Sequence, residues 1–294
     1  MEKFTLRRRD FARSSAIALA ALSVGQGSRA FAGKTERQRS GRASGRPQGS
    51  TDAIEAIVDF CLALRYEDLP ARVIEITRLQ VLDTIGIALA GASAEGIPAL
   101  RMFTAEMGGK AESHLWGTSL RVPAHAAVRL NGAAAHALDY DDTHERSYVH
   151  PAVITVPAVL ALAEQTSGIS GKEIIVATAL GTDISCRLAM AGQPGVSPIT
   201  IGWHNTTTYG YLSSALVAGR LLGLNRDQMI YAAGIAYHQA AGNAQAHIDG
   251  ALTKRLGPGL AGSAGVLSAQ LAQRGLTGAR DVLEGPVGLY NQYH

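Results

Sequence analysis

Cysteine is nearly absent from this 294-residue chain: Cys61 and Cys186 are the only two, 125 positions apart. That excludes a disulfide framework, a cysteine-rich zinc site and an iron–sulfur cluster, and it leaves two thiols expected in the core. Aromatic residues make up only 5% and charged residues 17% of the sequence, against 47% hydrophobic. So apolar a chain is not disordered. Runs of alternating apolar and polar residues are also missing, which argues against a β-sandwich. What the chain has in quantity is small residues, including 33 glycines. Helices that touch through Ala and Gly are the architecture this composition favours.

The formal net charge of +3 is unevenly placed. Residues 1–50 carry 11 Lys and Arg against three acids, which leaves 16 basic and 21 acidic residues in 51–294. The body is therefore acidic, near −5. Nucleic-acid binding needs a folded basic patch, and here the basic excess lies in the leader and linker, so no nucleic-acid partner is expected.

Residues 1–32 read as an export signal. Arg8-Arg9-Asp10-Phe11 resembles the twin-arginine motif, a mildly apolar run from Ala16 to Val24 follows, and Ala30-Phe31-Ala32 is a small-x-small cleavage site. The apolar run falls short of the roughly 20 residues of a permanent span, so no stable membrane span is expected. Export by the twin-arginine route would place the mature protein in a bacterial periplasm. Residues 33–51 have no apolar periodicity and are rich in Gly, Ser and Arg, as in a flexible linker. The folded domain is expected over 52–294, with Thr51-Asp52 as a helix N-cap.

From there the pattern is helix after helix. Residues 71–90 carry Val73, Ile76, Leu79, Leu82 and Ile85 at spacings of three. Pro123 opens a helix to about Leu138, and further helices fit 153–165, 171–190, 207–223, 226–241 and 259–274. The stretch around His114-Leu115-Trp116-Gly117 is extended or loop. The expected fold class is all-α.

Three polar segments interrupt these helices. The first runs from Asn131 to His144, followed by His150-Pro151, and holds Asp139, Asp141 and Asp142 within four residues. Such crowding raises at least one pKa if the groups are buried. On a continuing helix Asp139 and Thr143 would share a face. Asp139, Asp142, His144 and His150 invite a metal, but they lack a recognised ligand spacing such as His-Glu-x-x-His, and no metal or other cofactor is expected. In the second segment, His204 precedes a helix whose N-terminal amides attract an anion. In the third, Lys254 and Arg255 stand before a helix expected to open at Gly259. Adjacent cations there suit a carboxylate or phosphate, or form a solvated basic loop.

Together these segments resemble the MmgE/PrpD family, which includes 2-methylcitrate dehydratase, cis-aconitate decarboxylase and iminodisuccinate epimerase. The resemblance runs from about Ile54 to Gly288. It rests on Leu82-Asp83-Thr84-Ile85-Gly86, the 131–144 block, Gly202-Trp203-His204, Lys254-Arg255-Leu256 with Pro258-Gly259, and Leu283-Glu284-Gly285. It implies a large helical domain, usually homodimeric, a smaller α+β lid, and metal-free proton transfer next to a carboxylate. Carried over by position, the active-site Asp and Thr fall on Asp139 and Thr143, two histidines on His150 and His204, and a carboxylate-binding lysine on Lys254.

His150 or His204 would then serve as acid or base, with Asp139 orienting an imidazole or acting as the base itself. Thr143 would bond the substrate, and Lys254 with Arg255 would hold its carboxylate. The chain departs from the family pattern at Asn205, where relatives have Pro, and at Gly257, where they have His. It stops at His294, so the lid is expected to be absent. The expected function is a lyase on a small di- or tricarboxylate. The alternative is a non-catalytic helical dimerisation or ligand-binding domain, and a metal-dependent hydrolase is a distant third.

Overall fold

A computed structural model describes residues 51–192 and 202–293. The expected export signal and nearly all of the expected linker lie outside the described residues. The described residues form one compact unit.

The domain is helical, as its composition implies. Helix α1 (Ala53–Ala63) begins where Asp52 accepts from the Ile54 amide and buries Ile54, Val58 and Cys61. The Asp52 carboxylate is itself buried and also accepts from the amides of Leu283 (3.2 Å) and Glu284 (2.8 Å). One cap therefore ties the first helix to the Leu283-Glu284-Gly285 motif 231 positions away. Then follow α2 (Ala71–Gly91), α3 (Ile97–Met107), a short hairpin of β1 (Ser113–His114) and β2 (Arg121–Val122), and α4 (Ala124–His136). The hairpin pairs Ser113 with Val122 and His114 with Arg121. Buried Asn131 of α4 secures it, accepting from the Trp116 amide (3.1 Å) and donating to the His114 carbonyl (3.0 Å).

The second half comprises α5 (Ala152–Gln165), α6 (Gly171–Ala191), α7 (Asn205–Leu221), α8 (Arg226–Gln239), the short α9 (Gln245–Ile248), α10 (Thr253–Gln273) and α11 (Leu289–Tyr293). Helix α7 is the axis of the core, buried from Asn205 to Leu221 except at Arg220. Helix α10 packs against α4, α7 and α8. Both cysteines are free and buried, as expected. Helix α6 is long and apolar enough to cross a bilayer, but 61% of that stretch is buried inside the domain, the pattern of a core helix.

Several local expectations are corrected. Helix α4 stops at His136 instead of about Leu138, and Asp139 takes a left-handed φ of 56°. Asp139 and Thr143 therefore do not share a helical face. Helix α10 starts at Thr253, six residues before the expected opening at Gly259, so Lys254 and Arg255 belong to its first turn and not to a loop. Pro258 lies inside the helix, one turn in, and removes the N–H that would bond the Lys254 carbonyl. On α2 the apolar stripe of Ile76, Leu79 and Leu82 faces outward, 53–68% exposed, while Thr77, Thr84, Ala88 and Gly91 face inward. Small inward residues let α2 approach its neighbours closely.

The same device joins α10 to α4. A Cβ on Gly259 would collide with the carbonyl of Arg129 and lie 3.1 Å from the amide nitrogen of Ala133. Because backbone atoms of α4 cannot move aside alone, Gly259→Ala should lower stability by about 1–3 kcal/mol, the usual cost of overpacking. Urea denaturation of the variant against the parent measures it.

Candidate active site

The site is built where the end of α4, the loop 137–151, the start of α7, the short α9 and the first turn of α10 meet. The loop leaves α4 through left-handed Asp139 and returns through left-handed Tyr148 (φ 51°). Such backbone is sparsely populated for residues other than glycine and persists where surrounding contacts hold it. The His144 amide donates to the Val149 carbonyl at 2.9 Å, and Asp142 accepts from the Ala152 amide (3.1 Å) and Gln80 Nε2 (2.7 Å). Asp142 thus serves as a half-buried anchor at the entry to α5.

Asp141 lies at the centre of the loop, with its side chain fully buried. One of its oxygens, Oδ2, lies 2.7 Å from Nδ1 of His136 and 3.2 Å from Nδ1 of His150. His136 is wholly buried, and its Nε2 has no hydrogen-bond partner among the described residues. Thr143 Oγ1 stands 3.2 Å from the same Nδ1 of His150 and 3.4 Å from the Asp141 carbonyl. The backbone of His150 donates to Thr206 Oγ1 at 3.0 Å, which ties the loop to α7.

His204 comes from the other side. Its amide donates to the Gly242 carbonyl (2.6 Å), while the Ala244 amide donates to the Gly202 carbonyl (2.7 Å), clamping the segment before α7 to the one before α9. His204 Nδ1 is 2.8 Å from Thr207 Oγ1. Ring centroids lie 5.9 Å apart for His204 and His136, 5.1 Å for His136 and His150, and 4.8 Å for His204 and His247 of α9. Gly257 packs against His204 and Thr207, and a Cβ there would run into Thr207 Oγ1. Lys254 Nζ forms an ion pair with Asp139 Oδ1. An open cleft of about 400 Å³ lies over this cluster, lined by His136, Asp139, His247, Lys254 and Arg255 among others. It is neither the largest concavity nor apolar, as suits a small charged molecule.

The protonation pattern follows from burial and neighbours. Burial disfavours the Asp141 carboxylate, yet the bonds from His136 and His150 outweigh it and hold its pKa far below the ordinary carboxylate range. Burial likewise works against a charged His150, and Asp141 more than compensates, so the pKa of His150 is raised. His204 is pushed down to about 3 by burial, with the positive charges around it adding to the effect. It is neutral at physiological pH. Burial and Lys254 lower His247. Asp139 is lowered because its bond to Lys254 overcomes burial, whereas burial raises Asp142, with the Asp141 charge contributing. The expected crowding effect therefore falls on Asp142 alone among the three acids.

All six residues singled out in the sequence lie in or beside this cluster, with different partners from those expected. Asp139 pairs with Lys254 and stands 4.0 Å from His136 Nδ1, so Asp141 is the carboxylate that bonds the imidazoles. Arg255 lines the cleft while its guanidinium bonds the Glu95 carbonyl. His144 faces away, held by Ser147 Oγ at 2.8 Å and lining a separate cavity with Gln80 and Cys186. His136, Asp141 and His247 were not singled out. The signal for His136 was a lone polar residue in an Ala run, five positions before Asp141. The described residues bring three possible metal donors within 4.8 Å, from His136, Asp141 and His150, a different set from the one the sequence suggested. Both imidazole nitrogens already lie at hydrogen-bond distance from one carboxylate oxygen, so an ion there would have to displace those bonds.

A model of the MmgE/PrpD N-terminal domain matches residues 55–294. The chain belongs to the MmgE/PrpD family. Cis-aconitate decarboxylase of Aspergillus terreus is 34% identical over 229 residues, covering 76% of this chain and 46% of that protein. The human cis-aconitate decarboxylase is 30% identical over 226 residues, covering 75% and 46%. A cis-aconitate decarboxylase-like protein of Aspergillus oryzae is 29% identical over 252 residues, covering 82% and 51%. The chain spans about half the length of the curated relatives it matches.

The raised pKa of His150 carries a stability signature. A histidine whose folded pKa exceeds its unfolded value stabilises fully below about pH 6.5, and the gain is lost as pH rises through the folded pKa. The thermal midpoint should therefore fall on the alkaline side of pH 6.5, and His150→Gln should flatten that fall. Melting curves from pH 6 to 9 check it.

Proposed function

We propose that this chain carries the catalytic helical domain of a lyase acting on a small tricarboxylate, with decarboxylation of cis-aconitate as the leading reaction. The observation that supports it most is the meeting of two groups in one cluster, Lys254 in the cleft wall and His150 close enough to feel its charge. Lys254 offers a cation with a displaceable carboxylate partner, and His150 offers an imidazole held ready to carry a proton. A substrate carboxylate would replace Asp139 on Lys254, exchanging one ion pair for another. Arg255 would hold a second carboxylate after leaving the Glu95 carbonyl.

In the decarboxylation, a proton is added to the vinylic carbon, the bond to the departing carboxylate breaks, and the double bond migrates to the carbon that carried it. Carbon dioxide leaves, and one proton is consumed. A general acid is needed near neutral pH, and a histidine with raised pKa meets that need. His150 fills this role. His204, neutral, accepts or donates a hydrogen bond without changing charge, Thr143 fixes His150, and Asp139 receives Lys254 when the cleft is empty. The same set would serve dehydration or epimerisation, which share proton transfer beside a carboxylate.

The outward apolar side chains of α2, with Met102, Phe103 and Met107 of α3, suit burial in a homodimer. The paired arginines at residues 8 and 9 suit twin-arginine export to a periplasm. Cell fractionation of the parent and of the Arg8→Lys/Arg9→Lys double variant checks the latter, with retention in the cytoplasm expected for the variant.

Carbon dioxide release from cis-aconitate by the purified chain tests the reaction. Lys254→Met should reduce kcat/KM roughly 10- to 100-fold, the value of one charge-assisted hydrogen bond of about 1.5–3 kcal/mol. Absence of turnover by the parent with cis-aconitate and with hydroxylated tricarboxylates would remove this reading.

A further inference from the structure

Asp141 is an unusual place to put a charge. Its side chain is fully buried, it does not line the cleft, and it bonds two imidazoles through a single oxygen. A buried carboxylate without a cation against it is costly, so its retention here needs a partner that carries or shares a proton. An ionised carboxylate only accepts hydrogen bonds, so each Nδ1 facing it must carry the hydrogen. Thr143 fits this assignment: with its own hydrogen on the Asp141 carbonyl at 3.4 Å, its oxygen shares the Nδ1–H of His150 with Asp141. His150 then keeps Nε2 as the nitrogen available to a substrate. His136, fully buried and with no other hydrogen bond among the described residues, holds Asp141 through the same oxygen.

We propose that Asp141 is the positioning residue of the site, fixing His150 as the Nδ1–H tautomer with Nε2 free and supplying the negative charge that keeps it protonatable, with His136 as its buried brace. This rests on the reading of His150 as the acid, but it is a statement about tautomer and charge that holds whether or not the chain turns over cis-aconitate.

The charged and titratable groups around His150 come from every neighbouring element: His136 from α4, Asp139, Asp141 and Asp142 from the loop, His204 before α7, His247 from α9 and Lys254 from α10. Asp139 is engaged by Lys254, and Asp142 by Gln80 and the Ala152 amide. Asp141 is the acid with a direct bond to the ring. Removing its charge should therefore dominate the response of His150, by one pH unit or more, as for an adjacent opposite charge.

The test is ¹⁵N nuclear magnetic resonance of the imidazoles across pH, on the whole chain, with the purified protein's metal content measured alongside. In the parent, neutral His150 should show the Nδ1–H tautomer. In Asp141→Asn its titration should move down by about one unit or more, and the alkaline limb of kcat/KM for cis-aconitate should move with it. A merely structural role would lower the thermal midpoint and leave the titration of His150 where it was. That result, the Nε2–H tautomer in the parent, or a stoichiometric metal bridging the three side chains would overturn the proposal. The parent spectrum decides even if Asp141→Asn does not fold. Expected spectra from a parent without turnover would reject the lyase reading and leave this inference standing.

Discussion

The close approach of α10 to α4 and α7 is the constraint on which the site depends. Gly259 lets the α10 backbone lie against that of α4, and Gly265 has Ser214 and the Ala215 amide of α7 where a side chain would be. Helices in such contact leave no room for water between them and admit few alternative registers. The first turn of α10 is thereby carried to the end of α4, and Lys254 arrives beside Asp139. The same crossing brings Gly257 against Thr207 and His204. Chemistry at the cleft is a consequence of which residues project from helices that small side chains have drawn together.

Around that frame the electrostatics divide into two layers. Asp141 and His136 are buried, Asp142 is half-buried, and all three are engaged by neighbours, so they hold geometry. Lys254, Asp139 and His150 have solvent access and exchangeable partners, so they are free to meet a ligand. The division explains why neighbouring carboxylates in one short loop have opposite pKa directions: Asp141 is bonded by two imidazoles, while Asp142 has only an amide side chain and a backbone N–H to offset its burial.

Much of the fold was legible in the sequence, because helical periodicity, the Asp52 cap and the small residues are local or compositional signals. The family, too, was legible, since its ordered motifs survive without knowledge of the packing. The role of each acid was not. Asp139 and Thr143 look like helix neighbours only until the chain turns left-handed at Asp139 and returns through Val149, pairings that lie outside the local sequence. The start of α10 was misplaced because Gly257-Pro258-Gly259 resembles a helix opening, whereas the packed helix runs through its proline. The stripe on α2 has helical spacing, but spacing does not say which side faces the core. His136 was hidden because a histidine within an alanine run has no local partner, and its partner is defined only by the turn after it.

A crystal structure of the chain with a bound tricarboxylate tests the central claim most directly. The account requires one ligand carboxylate within hydrogen-bond distance of Lys254 Nζ, the Lys254–Asp139 pair opened, and His150 presenting Nε2 to the ligand while Nδ1 stays on Asp141. A ligand seated elsewhere, such as the apolar groove between α1 and α6, with the Lys254–Asp139 pair intact, would contradict it.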